Sequence, residues 1–274
     1  MWRTVILICL LIVNPFAGFH LPDVSRGDGM AYPQKVADIQ SISYEMYRQF
    51  LSTHTVLTAK ENEAVNMVNH IGNRVFNEVK NYYASNRSSK ELNGFSWEIK
   101  LVQENKVDAW CLPGGKIVVY SSLIPVTQRD ASLVVLLTHE LAHILLKHGE
   151  KRMKQYLKEY LDSKDLATAF VSKPVETRAF FKMAFGTGDY VGVIRGFSEE
   201  DEMEADKLGL IFCAMAGFNP SDAIVFWERM FKLKGTARQP ELVSTHPVSE
   251  KRIANLEEIV EDISKKYYKP ISKY

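Results

Sequence analysis

The feature that most constrains this chain is a group of ionisable side chains inside the most apolar helix that the sequence predicts. Residues 134–146 are apolar on nearly every side of a helix, which indicates burial. His139, Glu140 and His143 lie in the middle of this run, in the order H-E-L-A-H. Burying such groups is costly unless they pair with one another or bind a metal ion. The sequence therefore predicts a buried polar site in this helix.

The spacing of the two histidines suits a metal ion. Residues four apart on a helix lie about 40° apart in projection and one turn apart along the axis, so His139 and His143 can direct both imidazoles at one point. Glu140 is rotated by about 100° from His139, which places it beside the metal and near its bound water. The alternative is a helix that carries these residues by chance. His148, five residues after His143, is expected to point away from the metal face.

A candidate third ligand lies in an acidic helix further along the chain, since a tetrahedral catalytic zinc takes three protein ligands. Ser198 is expected to cap this helix and Gly217 to end it. Glu202 and Asp206 are four residues apart and share a face, so one could bind the metal while the other orients a ligating histidine. The other glutamates of the segment are expected to be solvated, namely Glu199, Glu200 and Glu204.

The pattern of the remaining chain predicts an α+β domain that is mainly helical, with a small three-stranded sheet before the metal helix. A P-G-G sequence at residues 113–115 predicts a turn between the second and third strands. The phenylalanine-rich residues 171–197 predict a core helix followed by a loop, or alternatively a mobile lid or a membrane-facing patch. The predicted helices cover residues 35–51, 60–83 and about 130–153, and the predicted strands cover residues 97–101, 107–111 and 116–120.

The two ends of the chain differ from the domain between them. Residues 1–20 contain an apolar run that is short for a membrane span and suits a signal peptide, so we predict a signal peptide or an N-terminal membrane anchor. A buried N-terminal helix is the alternative. The first two predict an exported protein, periplasmic or membrane-anchored and facing outside the cytoplasm. Residues 35–262 are the predicted folded domain, and residues 263–274 are a predicted basic tail.

The charge balance argues against a nucleic-acid partner. The chain has 34 lysines and arginines against 33 aspartates and glutamates, a formal net charge of +1. Such a chain lacks the strong positive field that attracts nucleic acid. We therefore expect no nucleic-acid partner. Membrane association is expected through the N-terminus.

Four motifs together resemble one peptidase family. A strand and P-G-G turn at residues 105–117 precede the H-E-L-A-H sequence. E-x-x-A-D at residues 202–206 and then Thr245-His246-Pro247 with Arg252 follow it. This order is similar to that of the gluzincin zinc metallopeptidases, the family of HtpX, BepA, LoiP, the mitochondrial Oma protease and the CAAX prenyl endopeptidase. The likeness extends over roughly residues 35–260 and favours the single-domain exported or anchored branch.

The resemblance implies a zincin-like fold and one Zn²⁺ per chain. It implies that Glu140 is the general base and that Asp206 orients a ligating histidine from behind. His246 and Arg252 would lie near the substrate or the developing oxyanion. Without the resemblance, a buried turn residue before Pro247 is the favoured interpretation of His246. The implied metal ligands are His139, His143 and Glu202.

The same resemblance implies a zinc endopeptidase that hydrolyses peptide bonds with a metal-activated water, in quality control of misfolded envelope or membrane proteins. Its partners would be unfolded or extended polypeptides. A non-catalytic or self-inhibited chaperone-like binding protein that keeps the metal site is the alternative. An exposed strand edge at residues 105–110 can bind an extended peptide. The alternative is an internal strand without such a role. The predicted substrate-binding residues are Asn105, Val107, Ala109 and Arg252.

Overall fold

The computed structural model describes residues 38–128, 130–187, 196–237 and 239–270. The predicted signal peptide or anchor at residues 1–20 lies outside these ranges. Within them, every helix is too short or too polar to cross a membrane.

A small mixed sheet stands before the metal helix, as the sequence predicts. Its strands are β1 (Glu98–Val102), β2 (Ala109–Leu112) and β3 (Lys116–Tyr120). β3 lies in the centre, parallel to β1 and antiparallel to β2, so β2 forms one edge. Gly114 and Gly115 connect β2 to β3 with φ of +90° and +83°, a left-handed conformation that favours glycine.

Eleven α-helices and one short 3₁₀-helix (Ser89–Leu92) within the described residues make the rest of the domain. The mainly helical α+β class predicted from the sequence is confirmed. The helices are α1 (Ile39–Thr53), α2 (Ala64–Ser85), α3 (Leu123–Thr127), α4 (Asp130–Leu145), α5 (His148–Glu159), α6 (Leu166–Ser172), α7 (Pro174–Ala184), α8 (Glu199–Met215), α9 (Asp222–Leu233), α10 (Glu241–Thr245) and α11 (Glu250–Tyr267).

The core of the domain is the crossing of α4 and α8. Every residue of α4 from Ser132 to Ile144 is buried, as its apolar sequence predicts. Gly209 of α8 lies directly against the backbone of α4: a Cβ atom at this position would be 3.0 Å from the backbone nitrogen of His139. The absence of a side chain at Gly209 therefore lets the two helices approach at the level of the H-E-L-A-H sequence.

The predicted helix over residues 130–153 is wrong in its length, because the chain turns after Leu145. Lys147 takes a left-handed conformation with φ of 61°, and α5 starts anew at His148. The sequence changes from apolar to strongly charged at this point, and Leu146 and Lys147 are exposed before α5 packs one face back against the domain. His148 consequently does not have the direction that a continuous helix would give it.

The predicted basic tail also starts too early. Helix α11 continues to Tyr267, because Ile263 is buried and extends the apolar face of the helix. Lys265 and Lys266 lie in the last helical turn, where positive charge interacts favourably with the helix dipole. Residues 271–274 of the predicted tail lie outside the described ranges.

We expect Gly209→Ala to lower the free energy of unfolding by about 1–3 kcal/mol, because the new methyl group meets backbone atoms that cannot move independently. Alanine favours a helix over glycine by about 0.5–1 kcal/mol, so a net loss would identify the contact with α4 as its cause. Urea unfolding measures the change, with the exposed Lys207→Ala in the same helix as the control. An unchanged or increased stability of Gly209→Ala would contradict the close crossing.

Candidate metal centre

The structure brings the predicted ligands His139, His143 and Glu202 together in the core. Both histidines project from one face of α4, and Glu202 comes from the first turn of α8. His139 Nε2 lies 3.0 Å from His143 Nε2 and 3.2 Å from Glu202 Oε2. His143 Nε2 lies 3.6 Å from Glu202 Oε1. All three side chains are buried, so their polar atoms must be satisfied within the protein.

The donor atoms fit a single small cation. Ligand bonds of about 2.0–2.1 Å in a tetrahedral site separate neighbouring ligand atoms by about 3.3 Å, within the range of distances seen here. Glu202 Oε2 is buried and lies 3.2 Å from His139 Nε2, with Arg252 on its other side. Two imidazoles and a carboxylate whose facing atoms lie 3.0–3.6 Å apart form a nitrogen–oxygen set that suits zinc.

Asp206 and Arg252 support the cluster from behind. Asp206 Oδ1 lies 2.9 Å from His139 Nδ1, the arrangement that orients a ligating histidine. Arg252 donates from Nε and Nη2 to Asp206 at 2.6 and 2.8 Å, and its Nη1 lies 2.6 Å from Glu202 Oε2. Its guanidinium also packs over the ring of Trp227 at 3.8 Å. Arg252 is therefore fully buried behind the ligands, and this placement does not fit the predicted contact with substrate.

The same arginine controls the charge state of the two carboxylates. Burial alone would raise the pKa of Glu202, but Arg252 and then His246 outweigh burial and hold this pKa well below its ordinary value. Burial likewise opposes ionisation of Asp206, whereas Arg252 and His139 keep its pKa below the ordinary value. Both groups are thus ionised at neutral pH, as a metal ligand and its support require.

His148 lies off the metal face, as predicted, but it contacts a predicted ligand from the other side, which the sequence analysis did not foresee. Its Nδ1 lies 2.9 Å from Nδ1 of His143, and its Nε2 lies 3.2 Å from Glu204 Oε2 and 3.8 Å from Asp201 Oδ1. The break at Lys147 brings the side chain back to the metal helix. Glu204 itself is largely exposed, as predicted, but it contacts this histidine. The abrupt change from apolar to charged sequence after residue 146 was the one signal that could have indicated the break.

Glu140 and His246 lie on the side of the cluster that faces the cavity. His246 Nε2 is 3.0 Å from Glu140 Oε1, while His246 Nδ1 is 3.1 Å from Glu202 Oε1 and 3.2 Å from His139 Nε2. Burial would lower the pKa of His246, but the carboxylates of Glu140 and Glu202 outweigh it and raise this pKa to about 10. His246 therefore contacts both the predicted base and the predicted ligands.

The predicted substrate residues are only partly near the site. Ala109 lines the cavity beside Glu140, with Trp110 and Cys111. Val107 is bound by α10 instead: its N–H donates to Glu241 Oε2 at 2.9 Å, and its carbonyl accepts from Leu242 at 3.4 Å. Asn105 is exposed in the turn before β2. The strand starts at Ala109, two residues later than predicted, because the backbone N–H and carbonyl of Val107 pair with α10.

A buried carboxyl that the sequence analysis did not single out lies at the start of this edge. Asp108 Oδ1 accepts from the N–H of Ala109 at 2.9 Å. Burial, and then the charge of Glu140, raise the pKa of Asp108 to about 8. Asp108 therefore covers a backbone donor of the edge strand next to the predicted base.

The phenylalanine-rich segment forms two helices, α6 and α7, and its end contacts the cluster. The Phe197 ring stacks on His143 with ring centres 4.0 Å apart, and the guanidinium of Arg152 lies 3.7 Å from the centre of the Phe197 ring on its face. Phe185 lines the same cavity. Residues 188–195 lie outside the described ranges, so whether the segment is a lid stays a prediction.

Comparisons with known proteins agree with this geometry. Residues 73–260 match the family described as Peptidase family M48. The chain is similar to the mitochondrial metalloendopeptidase OMA1 of Schizosaccharomyces pombe, with 30% identity over 61% of this chain and 48% of that protein, and to OMA1 of Arabidopsis thaliana, with 32% identity over 60% and 32%.

A bacterial relative is more distant. It is the beta-barrel assembly-enhancing protease of Escherichia coli, with 24% identity over 57% of this chain and 32% of that protein. The matched region spans about half the length of these relatives or less. The family match covers well over half of the present chain, and the chain belongs to peptidase family M48.

Proposed function

We propose that this protein is a zinc-dependent endopeptidase. The observation that carries the proposal is the convergence of His139, His143 and Glu202 within about 3–4 Å of one another, with Glu140 beside them and Asp206 behind. Membership of a peptidase family and the names of the relatives support it. Zinc is the proposed metal because the set combines two imidazoles with one carboxylate.

The roles of the protein's own groups follow from their positions. A bound zinc ion would supply the positive charge that polarises the peptide carbonyl and makes water a better nucleophile. Glu140 accepts the proton of the attacking water and delivers it to the leaving amine. Asp206 keeps the proton of His139 on Nδ1, so that Nε2 faces the ligand cluster. Arg252 keeps Glu202 and Asp206 ionised.

The edge of β2 is the proposed binding place for an extended substrate. The carbonyls of Asp108 and Leu112 bond toward β3 and its turn, so alternation directs the backbone groups of Ala109 and Cys111 away from the sheet. These residues line the cavity that contains Glu140 and His143. A peptide added along this edge would pass Glu140. To pair with the backbone of Ala109, the peptide would have to replace the Asp108 carboxyl as the acceptor of the Ala109 N–H.

The proposed biological role is quality control of unfolded polypeptides outside the cytoplasm, in the cell envelope or at a membrane. A backbone-reading edge suits unfolded chains because it recognises extended conformation more than side-chain identity. The name of the bacterial relative, which refers to beta-barrel assembly, agrees with such a role. Export through residues 1–20 is part of this proposal.

A self-inhibited binding protein is the second candidate. The observation that favours it is the closure of the site: Glu140 and His246 are only 5% and 3% exposed, and Phe197 covers His143. A protein locked in this state would hold unfolded chains without cutting them.

Digestion of an unfolded protein such as casein, with and without a chelator, separates these candidates. We expect cleavage that is lost with the chelator and restored by zinc. Glu140→Gln should retain one zinc per chain while its rate falls by about 10²–10⁴-fold, because the proton acceptor is gone. The exposed Glu258→Gln in α11 is the matched control. Binding of casein without cleavage by the zinc-loaded wild type would instead support the binding protein.

The third ligand can be tested among neighbouring acidic residues. Glu202→Gln should lose most of its zinc affinity, because an amide is a poor ligand, and Asp206→Asn should lose about 10–100-fold. Glu200→Gln, exposed in the same helical turn, should bind zinc as the wild type does. Competition with a chromophoric chelator measures the three affinities. Zinc binding that survives Glu202→Gln but falls in Glu200→Gln would show that the wrong carboxylate was assigned.

Replacing His246 tests whether it acts on the reaction. We expect His246→Ala to lower kcat by about 10²–10³-fold, as loss of a donor to a developing oxyanion does, with zinc content and Tm near those of the wild type. An increase in kcat would contradict this role. It would show that the imidazole, which lies within 3.2 Å of two ligand atoms, occupies the position that substrate must take.

A further inference from the structure

We propose that His148 is the positioning residue of His143: it accepts a hydrogen bond from His143 Nδ1 and connects this ligand to the acidic side chains of α8. The inference rests on the proposed metal centre. Its basis is the 2.9 Å distance between the Nδ1 atoms of the two rings and the burial of both side chains, which are only 2% and 3% exposed.

The direction of the bond follows from the ligand geometry. His143 Nε2 faces the cluster, 3.0 Å from His139 Nε2, so it needs a free lone pair for the metal. The proton of the neutral His143 ring is then on Nδ1 and is donated to His148 Nδ1. His148 must consequently carry its own proton on Nε2. That atom lies 3.2 Å from Glu204 Oε2, which accepts it.

The two ligating histidines thereby receive equivalent support from the same helix. Asp206 of α8 contacts His139 Nδ1 directly, and Arg252 holds Asp206 in place. Glu204, also of α8, reaches His143 through His148. Helix α8 therefore contributes one ligand and fixes the ring orientation of both histidines. Groups that hydrogen-bond to a ligating histidine generally have this effect.

Asp201 secures the outer end of this chain of contacts. Its Oδ1 lies 3.8 Å from His148 Nε2, beyond a direct hydrogen bond, and 3.0 Å from Lys151 Nζ. The Asp201 side chain is 13% exposed, whereas that of Glu204 is 66% exposed. Glu204, at 3.2 Å, is close enough to accept a hydrogen bond from His148 Nε2. Asp201 adds negative charge beside it.

The same three residues, His148, Asp201 and Glu204, have a spacing that could hold a second cation. The bond to His143 argues against this use. A ring that accepts at Nδ1 and stays neutral has its proton on Nε2, so that nitrogen has no lone pair to offer a metal. Glu204 is therefore the acceptor for His148, and the three residues do not form a second metal site.

The tautomer of His148 gives a direct test. We expect long-range ¹H–¹⁵N correlation spectra of the zinc-loaded full chain to show His148 protonated on Nε2 and unprotonated on Nδ1, and His143 protonated on Nδ1. The opposite tautomer of His148 would overturn the inference, and so would the binding of two zinc ions per chain.

Zinc affinity of variants tests the function of the contact independently of proteolysis. We expect His148→Leu, which removes the acceptor, to weaken zinc binding by about 10–100-fold. His148→Asn, whose Oδ1 can stand in for the ring Nδ1, should recover most of this loss. The exposed His70→Leu is the control for the loss of a histidine. Glu204→Gln should weaken binding less than His148→Leu, because its amide oxygen still accepts from Nε2.

The outcomes are distinct from those that test the function. Equal losses in His148→Leu and His148→Asn would mean that His148 only fills space, and wild-type affinity in His148→Leu would mean that it does nothing for the ligand. Either result overturns the inference. A wild-type protein that binds no zinc would instead overturn the metal centre itself.

Discussion

The buried ion network of Arg252 with Glu202 and Asp206 is the interaction on which the site depends. Two carboxylates in a core of apolar helices would normally take up protons, because burial disfavours their charge. The guanidinium contacts both at 2.6–2.8 Å and keeps both ionised. Removing one partner of such a buried network leaves the others uncompensated, which costs several kcal/mol. The fold therefore holds the ligand and its support as one unit that stays charged before any metal binds.

This network also joins distant parts of the chain. Arg252 comes from α11, the carboxylates come from α8, and the histidines come from α4. Gly209 lets α8 approach α4 closely enough for the side chains to meet. The backbone contact at Gly209 fixes the separation of α8 from α4. The contacts of the α8 carboxylates with His139 and Arg252 fix the rotation of α8 relative to α4. Both are required, because ligand atoms must converge within a few tenths of an ångström.

Local patterns in the sequence predicted much of this arrangement. The fold class, the three strands and the acidic helix follow from periodicity and turn residues, and the i, i+4 spacing places His139 and His143 on one face. The predictions that failed concerned the directions and contacts of side chains in three dimensions. Arg252 was expected at the substrate because the order of motifs along the chain does not reveal that its side chain turns inward. The contact of His148 with His143 was missed because Lys147 adopts a left-handed conformation, whereas helical periodicity assumes a continuous helix.

The contacts along the edge of β2 have a consequence for the behaviour of the protein in solution. An exposed strand edge is a template for pairing with other chains, and proteins generally protect such edges. Here the Asp108 carboxyl takes the N–H of Ala109, and α10 takes both backbone groups of Val107. The edge is therefore shortened to a few residues inside a narrow cavity. Two folded copies cannot bring their β2 edges together there, whereas the proposed substrate, a single unfolded strand, is thin enough to enter, so the protection against self-association would also favour polypeptide that has lost its fold.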